Sequence, residues 1–171
     1  MAQVHDESPR FETLEEVSSF KLDEAAVERL YEQQSECTLC WTNKEGWPVG
    51  MPHVYAWAKG SFWITISGQR KRVLALKARP QSCLVISSLG TPGGTGEMVA
   101  VKTLATVHED RETLRWFLPI FLDRAGHEAG SFDQFFTPRR IVVEFKPVQL
   151  MSFSGKALQA AMVAAGHSEN Y

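Results

Sequence analysis

The sequence predicts a small, mainly antiparallel β-barrel with peripheral helices. Six segments rich in β-branched and aromatic residues are joined mostly by short turns. Helical spacing appears only before the first of them, after the third and fifth, and at the C-terminal end, so strands and helices do not alternate as in a doubly wound sheet. A chain of 171 residues, 44% hydrophobic and 22% charged, suits one globular core.

Residues 1–20 show no clear periodicity and read as an arm. A barrel domain follows over 21–155, and 156–171 read as a C-terminal helix and tail. From Leu22 to about Gln34 the apolar residues Leu22, Ala26, Val27, Leu30 and Tyr31 recur at helical spacing, with Asp23 as the cap. CTLCWTN from Cys37 is the first strand, and Lys44-Glu45-Gly46 turns into WPVGMPHVYAWAKG, read as one strand. Pro48 and Pro52 demote its first half to an edge or a bulge, because proline donates no ladder hydrogen bond.

SFWITIS is the third strand, broken at Ser67-Gly68. RKRVLALKA then forms a short helix that stops before Pro80. QSCLVISSL, EMVAVKTLATVHED and IVVEFKPVQLMSF complete the six strands. Between them lie the loop TPGGTG and a helix from Arg111 to about Arg124 with Asp110 as its cap and Pro119 inside. The stretch 126–138 reads as irregular, and KALQAAMVAAG as a helix ending at Gly166.

The net charge of −2 conceals an asymmetry. Residues 1–36 carry ten acids against three bases, whereas RKRVLALKAR at 70–79 holds five bases and no acid. An overall balance this close to zero speaks against a nucleic-acid binder, and the local cluster points to a small anionic ligand. No apolar run reaches the roughly 20 residues that span a bilayer, so no membrane is expected. The acidic start has no secretory pattern, and three cysteines make an odd number, so a reducing cytoplasm is expected.

The strongest candidate site lies where SFWITIS runs through Gly68 into Arg70, Lys71 and Arg72. A strand end, a freely turning glycine and a helix start bring backbone N–H groups and the helix dipole to one point. Arg70 and Arg72 offer guanidinium forks suited to phosphate, and Thr65 and Ser67 share a strand face and add hydroxyls. Bases serving only the helix dipole would sit at the helix end instead.

These residues resemble the pyridoxamine 5′-phosphate oxidase-like family. Gly46, Pro48 and Pro52 fit its second-strand pattern, and Thr65, Arg70, Arg72, Leu76 and Pro80 its third strand and helix. The resemblance implies a six-stranded split β-barrel like the flavin reductases, a homodimer, and an FMN or deazaflavin coenzyme at the dimer interface. It implies that Arg70 and Arg72 hold the cofactor phosphate with help from Lys71, and that Thr65 and Ser67 line the phosphate or ribityl chain. His53, Val54 and Tyr55 would run beside the ring, with His53 donating to it or carrying a proton. The segment after Phe153 lacks the arginine-histidine pattern that grips pyridoxal phosphate, so vitamin B6 oxidation is not expected and the small-molecule substrate stays open.

Two other classes stand beside this oxidoreductase reading. One is a haem-binding carrier or sensor with His53, His108 or His127 as axial ligand; the other is a structural homodimer without a cofactor. Cys37 and Cys40 have CxxC spacing, but on a strand their side chains face opposite ways and there is no second pair to complete a zinc site. The histidines have no metal-ligand spacing. The apolar runs 116–122 and 132–136 read as packing over the barrel end, as dimer contact, or as a wall over the cofactor.

Overall fold

The computed structural model describes residues 17–128 and 130–166; His5, His167 and most of the predicted arm lie outside them. Helix α1 (Glu24–Gln33) starts where Asp23 accepts a hydrogen bond from the Ala26 N–H at 2.7 Å, and it buries Ala26, Val27, Leu30 and Tyr31. Strands β1 (Glu36–Thr42), β2 (Pro48–Val54), β3 (Ala56–Ala58) and β4 (Ser61–Ser67) follow, then helix α2 (Lys71–Ala78). Strands β5 (Gln81–Ser87) and β6 (Glu97–His108) lead to helices α3 (Arg111–Arg124) and α4 (Phe132–Phe135). The long β7 (Arg140–Ser154) and α5 (Gly155–Ala164) end the described chain.

All the strands form one antiparallel sheet in the order β2-β1-β5-β6-β7-β4-β3. Its two edges, β2 and β3, are consecutive in the chain and separated by Tyr55 alone. An open sheet cannot have neighbouring residues on opposite edges, so this one is curled until the edges meet. The strand read as continuous over 47–60 is therefore two, and the sheet has seven strands rather than six.

The physical reason is Tyr55. Its N–H donates to the Ser35 carbonyl at 2.9 Å, and its fully buried hydroxyl donates to the Tyr31 carbonyl at 3.0 Å. That anchors the chain at the end of α1, and beyond it the backbone turns to pair with β4. Arg124, at the end of α3, donates to the carbonyls of Tyr31, Glu32 and Gln34, so the same helix end is held from a second side. As the two prolines required, β2 is an edge strand.

Inside the curl, Leu39, Phe62, Ile64, Leu84, Val101 and Phe145 are almost wholly buried. A second cluster lies outside it, where Leu114, Phe117, Leu118 and Leu122 of α3 cover Trp63 and Val142. The apolar run 116–122 is thus largely packing over the barrel, and Phe132, Phe135 and Phe136 are partly buried against it. The exposed apolar surface lies elsewhere. The register places Pro52, Thr38, Val85, Ala100 and Met151 in one row across five strands, with Pro52, Val85 and Met151 exposed.

Cys37 is buried and Cys40 half-buried, on opposite faces of β1 as the strand period requires, and Cys40 lies opposite Cys83 on β5. Gly68 does not need a positive φ. Its Cβ would lie 3.3 Å from the Arg139 carbonyl, so it serves a close approach of α2's lead-in to β7 rather than a freely turning loop. Among the described residues no helix is long and apolar enough to cross a membrane.

Two substitutions test the anchor. Tyr55→Phe loses one buried hydrogen bond and should cost about 1 kcal/mol, whereas Arg124→Ala loses charge-assisted bonds and should cost about 1.5–3 kcal/mol. Urea midpoints read both. Equal stability of wild type and Arg124→Ala would remove the clamp from the account.

Candidate functional site

Strand β3 is so short that only the first half of β4 has a partner on that side: Ala56 pairs with Trp63, and the ladder stops there. The outer edge of β4 from Ile64 onward faces the end of β2 across a gap instead. A cavity of about 370 Å³ fills this gap, within the roughly 300–1,000 Å³ of small-molecule pockets. His53 and Val54 of β2 form one wall, and Thr65, Ile66 and Ser67 of β4 the other.

Arginines close the far end. Arg70 is the N-cap residue of α2, and its side chain is exposed. Arg72, in the first turn, is half-buried. Its Nη1 touches the Met51 thioether at 2.9 Å, a weak acceptor, and its Nε is buried with no partner. Burial, and then the charge of Arg70, hold its pKa below the usual arginine value. Arg140 enters from the start of β7, opposite Ser67 in the ladder, with its guanidinium 4.9 Å from the Phe135 ring centroid. Burial lowers its pKa too. An arginine stays charged under such shifts.

Three guanidinium groups therefore line one small cavity, and the single carboxylate among its lining residues, Glu36, is exposed. Like charges gathered and partly dehydrated are unfavourable until an anion arrives. His53 fits the same arrangement. Burial, and then Arg72, push its pKa down to about 4, so its imidazole is neutral at pH 7. Its Nε2 is buried and has no hydrogen-bond partner among the described residues. Orphaned polar atoms on His53 and Arg72 beside a cationic cavity are what a bound phosphate ester would satisfy.

The structure thus brings together His53, Val54, Thr65, Ser67, Arg70 and Arg72. It does not bring Lys71 or Tyr55. Lys71 is exposed and faces a groove on the other side of α2, because consecutive helical residues point about 100° apart. Tyr55 lies in the core, its hydroxyl spent on Tyr31. Thr65 lines the cavity, but its hydroxyl proton is committed to the Ile141 carbonyl at 2.9 Å, so it is no free donor. Arg140 and Glu36 were not singled out from the sequence; they reach the cavity through β7 register and the β1–β2 ladder, which no local motif signals. Phe121 belongs to the apolar run 116–122, for which a wall over the cofactor was one of the readings.

Other polar groups are engaged elsewhere. His108 lies 3.2 Å from the Glu144 carboxylate, whose other oxygen accepts from Ser61 at 2.8 Å. The carboxylate sits between serine and histidine, so the imidazole does not contact the hydroxyl as it would in a Ser-His pair. The His127 ring centroid is 4.7 Å from that of Phe135. Among the described residues no group of three or more His, Cys, Asp or Glu side chains could hold a metal ion.

No protein-family model matches the sequence, and no curated protein does. Solved structures share its fold. A conserved hypothetical protein from Mycobacterium tuberculosis superposes with a TM-score of 0.71 at 18% identity, covering 81% of this chain and 89% of that one. An F420 reductase gives a TM-score of 0.59 at 18% identity over 72% of this chain and 94% of that one. A protein named for pyridoxamine 5′-phosphate oxidase, from Listeria innocua, gives 0.59 at 14% over 75% and 96%. The chain has the pyridoxamine 5′-phosphate oxidase-like fold that the sequence resemblance implied.

His53 makes the site sensitive to acid. Its folded pKa is depressed to about 4 from 6.5, so between those values the unfolded chain binds more protons than the folded one. Its contribution to stability is complete above pH 6.5 and is lost as the pH falls towards 4. Urea midpoints at pH 7, 5.5 and 4.5 should therefore fall more steeply for wild type than for His53→Gln. Parallel profiles would show that His53 titrates normally.

Proposed function

We propose that this protein binds a flavin-type coenzyme, FMN or the deazaflavin coenzyme, by its phosphate and works as an oxidoreductase on a small molecule. The observation that carries the reading is the cavity between β2 and β4, with three arginines at one end and buried, unpartnered nitrogens on His53 and Arg72. The F420 reductase and the protein named for pyridoxamine 5′-phosphate oxidase share the fold, which supports the same ligand class. A bound coenzyme would supply the hydride or electron chemistry.

The protein's part is positional. Arg70 and Arg72 would hold the phosphate as charge-assisted donors, with Arg140 beside them. Ser67 adds a hydroxyl at the same end, and Val54 gives the ring an apolar strand edge. His53, kept neutral by its surroundings, can hydrogen-bond without adding a fourth charge to the cluster. Phe121 closes the cavity from α3.

The same reading includes a homodimer. The row Pro52, Thr38, Val85, Ala100 and Met151 is an apolar sheet face of the kind that a second copy covers, and Pro52 belongs both to that row and to the cavity wall. A second copy seated there would close the open side of the site. The three free thiols fit a reducing cytoplasm.

Titration with FMN and with the deazaflavin coenzyme, followed by absorbance and fluorescence, tests the binding claim. Each charge-assisted bond is worth about 1.5–3 kcal/mol, so Arg70→Ala and Arg72→Ala should each weaken binding roughly ten- to a hundredfold. Arg79→Ala, at the far end of α2 and tied to the Thr42 carbonyl, should barely change it. Equal small losses at all three would reduce the basic run to a solvated face.

Sedimentation at micromolar concentration tests the assembly. Wild type should run as a dimer and Met151→Glu as a folded monomer; a monomeric wild type ends the dimer proposal.

A further inference from the structure

On the opposite side of Arg72 from the anion cavity lies a groove of about 670 Å³, between α2 and the β1–β2 hairpin. Arg72 is the one residue that lines both. The two spaces differ in character. The first is walled by strand edges and guanidinium groups, whereas the second has an apolar floor of Trp41, Val49, Leu74 and Ala75. Leu74 is 67% exposed at the centre of an otherwise basic helix face, where a soluble helix ordinarily carries a polar residue.

The rim is cationic. Lys71 contributes an ammonium with no ion-pair partner among the described residues, and Arg79 stands at the far end of the helix, its Nε on the Thr42 carbonyl at 3.2 Å. The Arg72 guanidinium lies 6.0 Å from the Trp41 ring centroid. Lys44 is matched by Glu45 at 3.4 Å, so the unbalanced charge is that of α2.

We propose that this groove is a second ligand site, for a planar aromatic carboxylate or sulfonate. The rings would lie on the Trp41 face and against Leu74, where burial of apolar surface and an offset ring contact both contribute. The acid group would meet Lys71 at the start of the helix. A phosphorylated polar ligand has no use for that floor, and an uncharged apolar one leaves the three cations of α2 unanswered. The volume accommodates a two-ring molecule with room for its substituents.

Isothermal titration with 2-naphthoate, done on the full chain without flavin, tests this apart from the coenzyme reading. Wild type should show saturable one-to-one binding. Leu74→Glu, which changes an exposed side chain and repels the acid group, should weaken it at least tenfold while FMN affinity stays unchanged. Lys71→Gln should weaken 2-naphthoate binding as well and stands in if Leu74→Glu fails to fold. Leu89→Glu, an identical change at an equally exposed leucine in the β5–β6 loop, should have no effect. Absence of saturable binding overturns the proposal, and so does full affinity in both groove variants or an equal loss in Leu89→Glu.

Discussion

Tyr55 anchors the point where the curled sheet changes edges, and the rest of the architecture follows from that anchor. One backbone bond to Ser35 and one buried hydroxyl bond to Tyr31 fix the residue between β2 and β3. A strand that continued straight would keep pairing with β1 and leave the sheet open. Because the chain is held there, β3 departs towards β4, and the two edges are forced to within one residue of each other at this end only. They diverge beyond it. The cavity between His53–Val54 and Thr65–Ser67 is that divergence, so the site is a consequence of the closure rather than an addition to it.

A gap of this kind must be answered chemically, since it exposes strand edges whose backbone groups have lost their ladder. In this chain the answer is positive charge. Arg70, Arg72 and Arg140 converge at one end with only the exposed Glu36 opposed; burial disfavours the charged forms of Arg72 and Arg140, and the charge of Arg70 adds to this at Arg72. The surrounding fold tolerates that arrangement because its core is elsewhere, inside the curl and beneath α3. Local instability offset by distant packing is the usual signature of a binding site, and a bound anion would relieve it by mass action.

Much of this was legible in the sequence, and the failures have physical causes. Strand and helix periods located α1, β4, α2, β6, α3 and β7 closely, and Pro48 and Pro52 identified the edge. The period of two also put Thr65 and Ser67 together at the end of β4. Lys71 is not at the cavity because adjacency in sequence is not adjacency on a helix: about 100° round from Arg72, it lines the groove that Arg72 alone shares with the cavity. Tyr55 failed because alternation along WPVGMPHVYAWAKG continues smoothly through a residue where the pairing partner changes. Nothing local marks such a change. Arg140 depends on pairing between residues 67 and 140, a separation that no motif spans. The apolar runs at 116–122 and 132–136 drew attention away from the exposed sheet face, whose residues are spread over five strands and form a row only in register.

The fold and the site therefore carry different information. Identities of 14–18% to structures that superpose over most of the chain show a shared backbone path. A shared path does not dictate what fills the gap between β2 and β4, which is set by the side chains that line it. In the proposed reading, three guanidinium groups with a neutral histidine would take a compact anion attached to something that can lie along Val54. A ring of hydrophobic side chains in the same gap would call for no anion at all. The step from fold to ligand thus runs through Arg70, Arg72, Arg140 and His53, the residues whose charge and unsatisfied nitrogens the backbone alone does not dictate.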